Sequence, residues 1–188
     1  GGTAAVFLGV VDLDGDGHLD HVLLWAGAGL SADLQAVVRS VRKTYAKGVP
    51  GQLPLAVAGA GALADLARLP PPWGTALART LTSSTTWASR TPFVPPRFLK
   101  QRGKNTLQGQ VAAELESRAL PAAEVEVVDP REEASLRLRH FIRVRRNGPR
   151  PPVDCGFHLR LHFSSPVAGP LCLGYGAHFG LGRFEALE

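Results

Sequence analysis

A chain of 188 residues is long enough for one full domain with a sizeable core. Its 45% hydrophobic content argues against a disordered tail, and no apolar run reaches the roughly 18 residues that span a bilayer. The formal charge of +5, with arginine well ahead of lysine, suits a phosphate-bearing partner without identifying one.

The elements follow in chain order. "AVFLGVVD" (5–12) predicts a strand, "DLDGDGHLDHV" (12–22) a turn, and "HVLLWAGAG" (21–29) a second strand. Ser31 is placed to cap a helix whose apolar face carries Leu34, Val37, Val38 and Val41, and Asp33 sits in its first turn. Arg39, Arg42 and Lys43 lie off that face, and the helix should end near Gly48 or Pro50. "LPLAVAGAGAL" (53–63) starts like a strand, and "TTWASRTPFVPPRF" (85–98) reads as an edge strand punctuated by prolines. A helix over Thr106–Arg118 carries Leu107, Val111 and Leu115 four apart, and "AEVEVVD" (123–129) is a strand.

Strand, helix, strand, strand, helix, strand is the ferredoxin-like order that RNA-recognition modules share. The expected fold is therefore α+β, a ferredoxin-like core over about 18–129 within one unit spanning 3–188. Beyond it, "LRLRHFIRVRR" (136–146) and "FHLRLHF" (157–163) both alternate. They predict a hairpin with one apolar face and a basic face bearing Arg137, Arg139, Arg143 and Arg145, with Phe141 among them.

Two cysteines, Cys155 and Cys172, have neither metal-site spacing nor the numbers for a disulfide framework, and read as buried thiols of a reducing cytoplasm. The Gly1-Gly2 start, in a chain without methionine, reads as a protease scar on an excised piece of a longer protein.

Three stretches carry candidate chemistry. In the acidic turn, Asp12, Asp14, Asp16, Gly17 and Asp20 fall on calcium-loop positions, but Leu23 stands where the bidentate twelfth ligand belongs. The alternative is a tight turn in which Asp and Gly tolerate left-handed backbone. The turn also delivers His18 and His21, as reactive groups or as structural ones. Near the end, "GPLCLGYGAHFGLGRFEAL" (169–187) surrounds His178 with Gly174, Gly176, Gly180 and Gly182. Bare backbone there would let amides approach phosphate, with Arg183 adding charge, or the loop is simply a packed bend. Arg90, Arg97, Lys100, Arg102 and Lys104 form a basic run suited to RNA backbone, or to water.

"DGHLDHVLLWA" (16–26), "WASRTPFVPPR" (87–97) and "LGYGAHFGLGRF" (173–184) together resemble the fused CRISPR-associated proteins of type I-G systems, formerly I-U. In those proteins a Cascade backbone-capping half precedes a repeat-cleaving endoribonuclease half of Cas-six type. The chain resembles the endoribonuclease half, and its glycine loop is similar to the mark of the wider repeat-associated RNA-binding (RAMP) superfamily. The resemblance implies ferredoxin-like folding, binding of the CRISPR repeat hairpin, association with other Cascade subunits, and one metal-independent cut per repeat without a cofactor. It implies a catalytic histidine at His21 or His18, with His178 as the second position carried over. Only 59 residues follow Asp129, so a complete second ferredoxin-like unit is not expected.

The chemistry implied needs little. A base takes the proton of a ribose 2′-hydroxyl, the oxygen attacks the adjacent phosphate in line, and an acid protonates the departing 5′-oxygen. The products are a 2′,3′-cyclic phosphate and a 5′-hydroxyl. Imidazole, with an ordinary pKa of about 6.5, serves either role at neutral pH, and Tyr175 is the other candidate acid. The amides of the glycine loop and Arg183 would stabilise phosphate charge. The alternative function is a non-catalytic module that holds the crRNA hairpin within Cascade. A calcium-stabilised interaction domain built on the acidic turn is a further rival.

Overall fold

The computed structural model describes residues 6–16, 18–45, 50–138, 141 and 150–187. The protein is α+β, with antiparallel strands throughout. No helix among the described residues is long and apolar enough to cross a membrane.

Strands β1 (Val6–Val11) and β2 (His21–Ala26) form a hairpin of their own, in the register Val6 to Ala26 and Val11 to His21. Helix α1 (Ala32–Ser40) follows, capped by Ser31, whose Oγ accepts from the Leu34 amide. Strands β3 (Lys43–Thr44) and β4 (Leu53–Pro54) make a two-residue ladder. Helices α2 (Leu63–Leu66) and α3 (Trp73–Leu81) lead into β5 (Ser83–Ser89).

From β5 onward the chain builds the principal sheet. Helix α4 (Leu107–Glu116), strand β6 (Ala123–Val127), helix α5 (Glu133–Leu138), and strands β7 (Leu159–Ala168), β8 (Leu171–Cys172) and β9 (Arg183–Ala186) follow. The strand order is β6-β7-β5-β9-β8. Strand β7 runs antiparallel between β5 and β6, so β5–α4–β6 is a split βαβ unit. Alternation in β7 puts Leu159, Leu161 and Phe163 on the face that packs with Trp87, Phe184, Ala186 and, from α4, Val111 and Leu115.

The expected β-α-β-β-α-β assembly over 18–129 does not form. Among the described residues β2 pairs only with β1, the neighbour that the local 12–20 connection brings to it at modest entropic cost. The 53–63 stretch contributes two strand residues, since its alanines and glycines offer a sheet little to pack. Strands β5 and β6 do share a sheet, but β7 separates them.

The predicted hairpin of 136–146 with 157–163 is also corrected. Residues 157–163 do enter a strand, yet both edges of β7 are taken, by β5 and β6. Leu136, Arg137 and Leu138 instead belong to α5, where Arg137 pairs with Glu133 at 2.7 Å, four residues back. Ser135 anchors that helix to β7 through a 2.9 Å hydrogen bond with His158 Nδ1. Arg139, Arg143 and Arg145, the rest of the predicted basic face, lie outside the described residues.

Candidate functional site

The three motif stretches converge. Residues 89–94 line the glycine loop: Gly182 N–H donates to the Pro92 carbonyl at 2.9 Å and Tyr175 N–H to that of Val94 at 2.8 Å. Thr91 Oγ1 donates to the Gly180 carbonyl and accepts from the Arg183 amide. The β1–β2 hairpin lies over the other side of the loop, where Trp25, Cys172 and Ala177 form a second buried cluster with Phe7 and Leu23 against it.

All four glycines have positive φ, so each sits where a side chain would be strained. Space is equally restrictive: a Cβ on Gly182 would lie 1.8 Å from the Leu173 carbonyl oxygen, and one on Gly174 2.7 Å from that of Val94. The amides are largely engaged within the protein. Gly174 N–H donates to Glu114 Oε2 at 2.7 Å, and the amides of Ala177, Phe179, Gly180 and Leu181 close turns inside the loop. The glycines therefore permit a packed bend, and the amides of Gly174, Gly180 and Gly182 are held within it and not open to phosphate.

Arg183 is corrected as well. Its side chain is buried, with Nη1 donating to the Val10 carbonyl at 2.7 Å and Nη2 to Glu185 Oε1 at 3.0 Å. It joins β1 to β9 and does not present its charge to solvent. Arg90 does: its guanidinium is exposed, with Nε 3.5 Å from the same Glu185 oxygen.

His178 is exposed at the rim of the glycine loop. Its ring stacks on Phe7, with centroids 4.6 Å apart, and Phe7 stacks in turn on Trp25. The Val6 carbonyl lies 2.9 Å from Nδ1 and can only accept, so Nδ1 carries the proton and Nε2 is the acceptor nitrogen of the neutral ring. Tyr175 lies three residues away in the same loop, half-buried.

His21 opens β2 opposite Val11, with Nδ1 3.0 Å from Asp20 Oδ1. The His21 ring beside it is the main cause holding the Asp20 carboxyl below its ordinary range, and the Leu13 amide adds to it. His18 stands out at the tip of the turn, near Asp16. The two leading histidines thus sit at opposite ends of β1, one bound to Val6 and the other paired with Val11. Five strand steps span about 17 Å. One phosphate cannot be served by His21 as base and His178 as acid, or the reverse, across that gap.

In the acidic turn, carboxylate oxygens of Asp12, Asp14 and Asp20 lie within 4.8 Å of one another. The turn's own amides account for them: Gly15 donates to Asp12, Asp16 to Asp14, and Leu13 to Asp20. The first two are local Asx-type turns and the third ties the two ends of the loop together; Gly17 lies outside the described residues.

The basic run occupies an exposed loop from Arg97 to Lys104. Arg97, Lys100, Arg102 and Lys104 form no ion pair with any described residue. Sequence reasoning missed what holds this loop. Gln110, fully buried on α4, accepts from the Arg97 amide and donates from Nε2 to the carbonyls of Arg97 and Asn105. One turn further on, Glu114 holds Gly174. The basic loop and the glycine loop are thus stapled to α4 by residues about 6 Å apart along its axis. Gln110 sits among apolar positions in the helix pattern, and nothing local marks it as a clamp.

Also missed is the polar face of the principal sheet. Glu126 accepts from Arg160 Nη1 at 2.8 Å and lies 3.2 Å from His162 Nε2. The hydrogen bond from His162, then the charge of Arg160, keeps the Glu126 carboxyl low. The alternation in "AEVEVV" and "FHLRLHF" carried that signal, since Glu126 and Arg160 are cross-strand partners. His158, just before β7, is buried beside Ser135 of α5, and desolvation lowers its pKa. Cys172 is a buried thiol pushed up to about 12 by desolvation, which makes it inert as a nucleophile.

No family model, no curated protein and no solved structure matches this chain.

Proposed function

We propose that this chain is a metal-independent endoribonuclease that cuts CRISPR precursor RNA within the repeat to release mature crRNA. His178 is the reacting imidazole. The observation that carries the reading is the setting of that ring: exposed, stacked on Phe7, and fixed by Val6 with Nε2 as acceptor. A ring so held takes the 2′-hydroxyl proton on Nε2, and the resulting imidazolium keeps its Nδ1–H bond to Val6 throughout. The 2′-oxygen attacks the phosphate in line and the 5′-oxygen leaves with a proton from a second acid, for which Tyr175 is the loop's candidate. The nucleophile belongs to the RNA, so neither a metal nor a protein nucleophile is required for the step.

Two further observations support the reading. The order β6-β7-β5-β9, with its split βαβ unit, suits a ferredoxin-like sheet lying over 83–186 instead of 18–129. The Arg97–Lys104 loop, whose cations pair with no described acid, and the glycine loop are both tied to α4. Association with Cascade subunits through a longer fusion belongs to the same proposal.

The test is incubation with a CRISPR repeat RNA in EDTA, with end-group analysis. Cyclic-phosphate and 5′-hydroxyl ends are expected, and a 2′-deoxy sugar just 5′ of the cut should block the reaction. His178→Ala should slow cleavage by about 10²–10⁴-fold while RNA binding persists, and His21→Ala should cut within a few-fold of wild type. Normal cutting by His178→Ala overturns the assignment. The distance between His21 and His178 favours a second reading, a crRNA-binding module without catalysis. Tight binding with no cleavage would select it.

A further inference from the structure

The Arg97–Lys104 loop carries one aromatic side chain, and it is not packed away. Phe98 is 72% exposed, between Arg97 and Lys100. A floppy surface loop would make this unremarkable, but this loop is braced at both ends. Gln110 bonds the backbone of Arg97 and Asn105, and also reaches the Phe98 carbonyl at 3.4 Å. Lys100 N–H donates to the Asn105 carbonyl at 2.9 Å, and residues Gly103–Asn105 form a single 3-10 turn before the Thr106 cap of α4. The ring is therefore held out in water on a preset backbone, in a loop whose cations no described acid neutralises.

We infer that this loop is a platform for unpaired RNA, on which Phe98 stacks one base while Arg97, Lys100, Arg102 and Lys104 track the phosphates. The inference rests on the RNA-directed reading above and adds which part of the substrate the loop grips. An aromatic face beside clustered cations is what single strands require, because every base has a π-face and every nucleotide a phosphate. A paired stem offers the cations its phosphates but keeps its bases stacked on each other, leaving the ring without a partner. A membrane surface is the weaker fit: one ring and a partly exposed Leu99 are too little apolar area for insertion. The platform and the glycine loop are held by successive turns of α4, at Gln110 and Glu114.

The experiment measures binding of the full chain to a labelled 12-nucleotide oligouridylate and to a blunt RNA hairpin without overhangs. Phe98→Ala should weaken oligouridylate binding about tenfold, the effect of losing one base stack, and Phe98→Tyr should restore it to within about twofold. The hairpin should bind Phe98→Ala as it binds wild type. Lys100→Gln should reduce the log–log salt slope on the single strand by about 0.7, one phosphate contact. The inference falls if the wild-type chain ignores oligouridylate, if Phe98→Ala binds it normally, or if the hairpin suffers equally. It also falls if vesicles rich in phosphatidylserine bind the wild type but not Phe98→Ala. Cleavage is scored separately with His178→Ala. A Phe98-dependent grip on single strands with no cutting sinks the nuclease reading alone, and His178-dependent cutting with normal Phe98→Ala binding sinks this inference alone.

Discussion

From Ala26 to Trp73 no described residue is buried, although the stretch contains Val37, Val41, Leu53, Leu55 and Val57. From Trp87 to Ala186 the chain buries Trp87, Phe93, Val111, Leu115, Leu159, Leu161 and Phe184 in one cluster. Both regions contain well-formed elements. Helix α1 has a Ser31 cap, an acid in its first turn and Arg39 in its last. Strand β5 has none of these, yet β7 and β9 flank it at Trp87, which shares the core cluster with Val111 and Leu115 of α4. Local signals are enough to shape an element, but most of its stability comes from burying a face against another element.

Core substitutions break the comparison most forcefully. Leu161→Ala should cost about 2–5 kcal/mol, since it empties a fully buried site between Val125 and Trp87. Val37→Ala on α1 should change stability by less than about 0.5 kcal/mol. Denaturant titration of both variants tests this, and equal costs would mean that α1 packs on something in solution.

Glycine substitutions should separate the regions next. Gly182→Ala combines left-handed backbone with an oxygen 1.8 Å from the new Cβ and should cost about 3 kcal/mol. Gly29→Ala has the same sign of φ but open space and should cost about 1 kcal/mol. Melting temperatures should rank the two accordingly.

Acid should act on the principal sheet through His158. Burial lowers its pKa, with the charge of Arg160 adding to the shift while Glu132 and Glu126 oppose it. The unfolded chain therefore takes up a proton near pH 6.5 that the folded chain takes up only at lower pH. The stability that His158 contributes is complete above about pH 6.5 and declines as pH falls below it. His158→Asn keeps an acceptor for Ser135 and should lose less melting temperature between pH 7 and 5 than wild type does. Equal losses would remove His158 as the cause.

The smallest effect sharpens the contrast. Ser31→Ala removes the α1 cap, worth about 1 kcal/mol to the helix. Amide exchange in α1 should rise about fivefold while the main unfolding transition stays in place. A shift of that transition would show that the two regions unfold as one.

Much of this was legible by residue. Thr106 capping α4, the apolar face of β7 and the hairpin closing over the acidic turn could all be read from neighbouring positions. The glycine loop was recognisable as a place, but the roles of its amides were not, because Glu114, Pro92 and Val94 that engage them are distant in sequence. Arg183 read as a phosphate ligand and proved to be a buried tie to Val10. Residues 136–138 read as strand by alternation, whereas the Glu133–Arg137 pair and the Ser135 anchor make them helix.

By itself the sequence determined the α+β class, the capped helices, the apolar stripe of β7 and the turns at Asp and Gly. Each depends on side chains a few residues apart, whose periodicity and hydrogen bonding act before any fold exists. Tertiary structure alone decided that β7 lies between β5 and β6, that Gln110 braces the basic loop, and that His21 and His178 stand a strand's length apart. Those outcomes follow from competition among edges and apolar faces for a shared interior, and no short window of residues contains that competition.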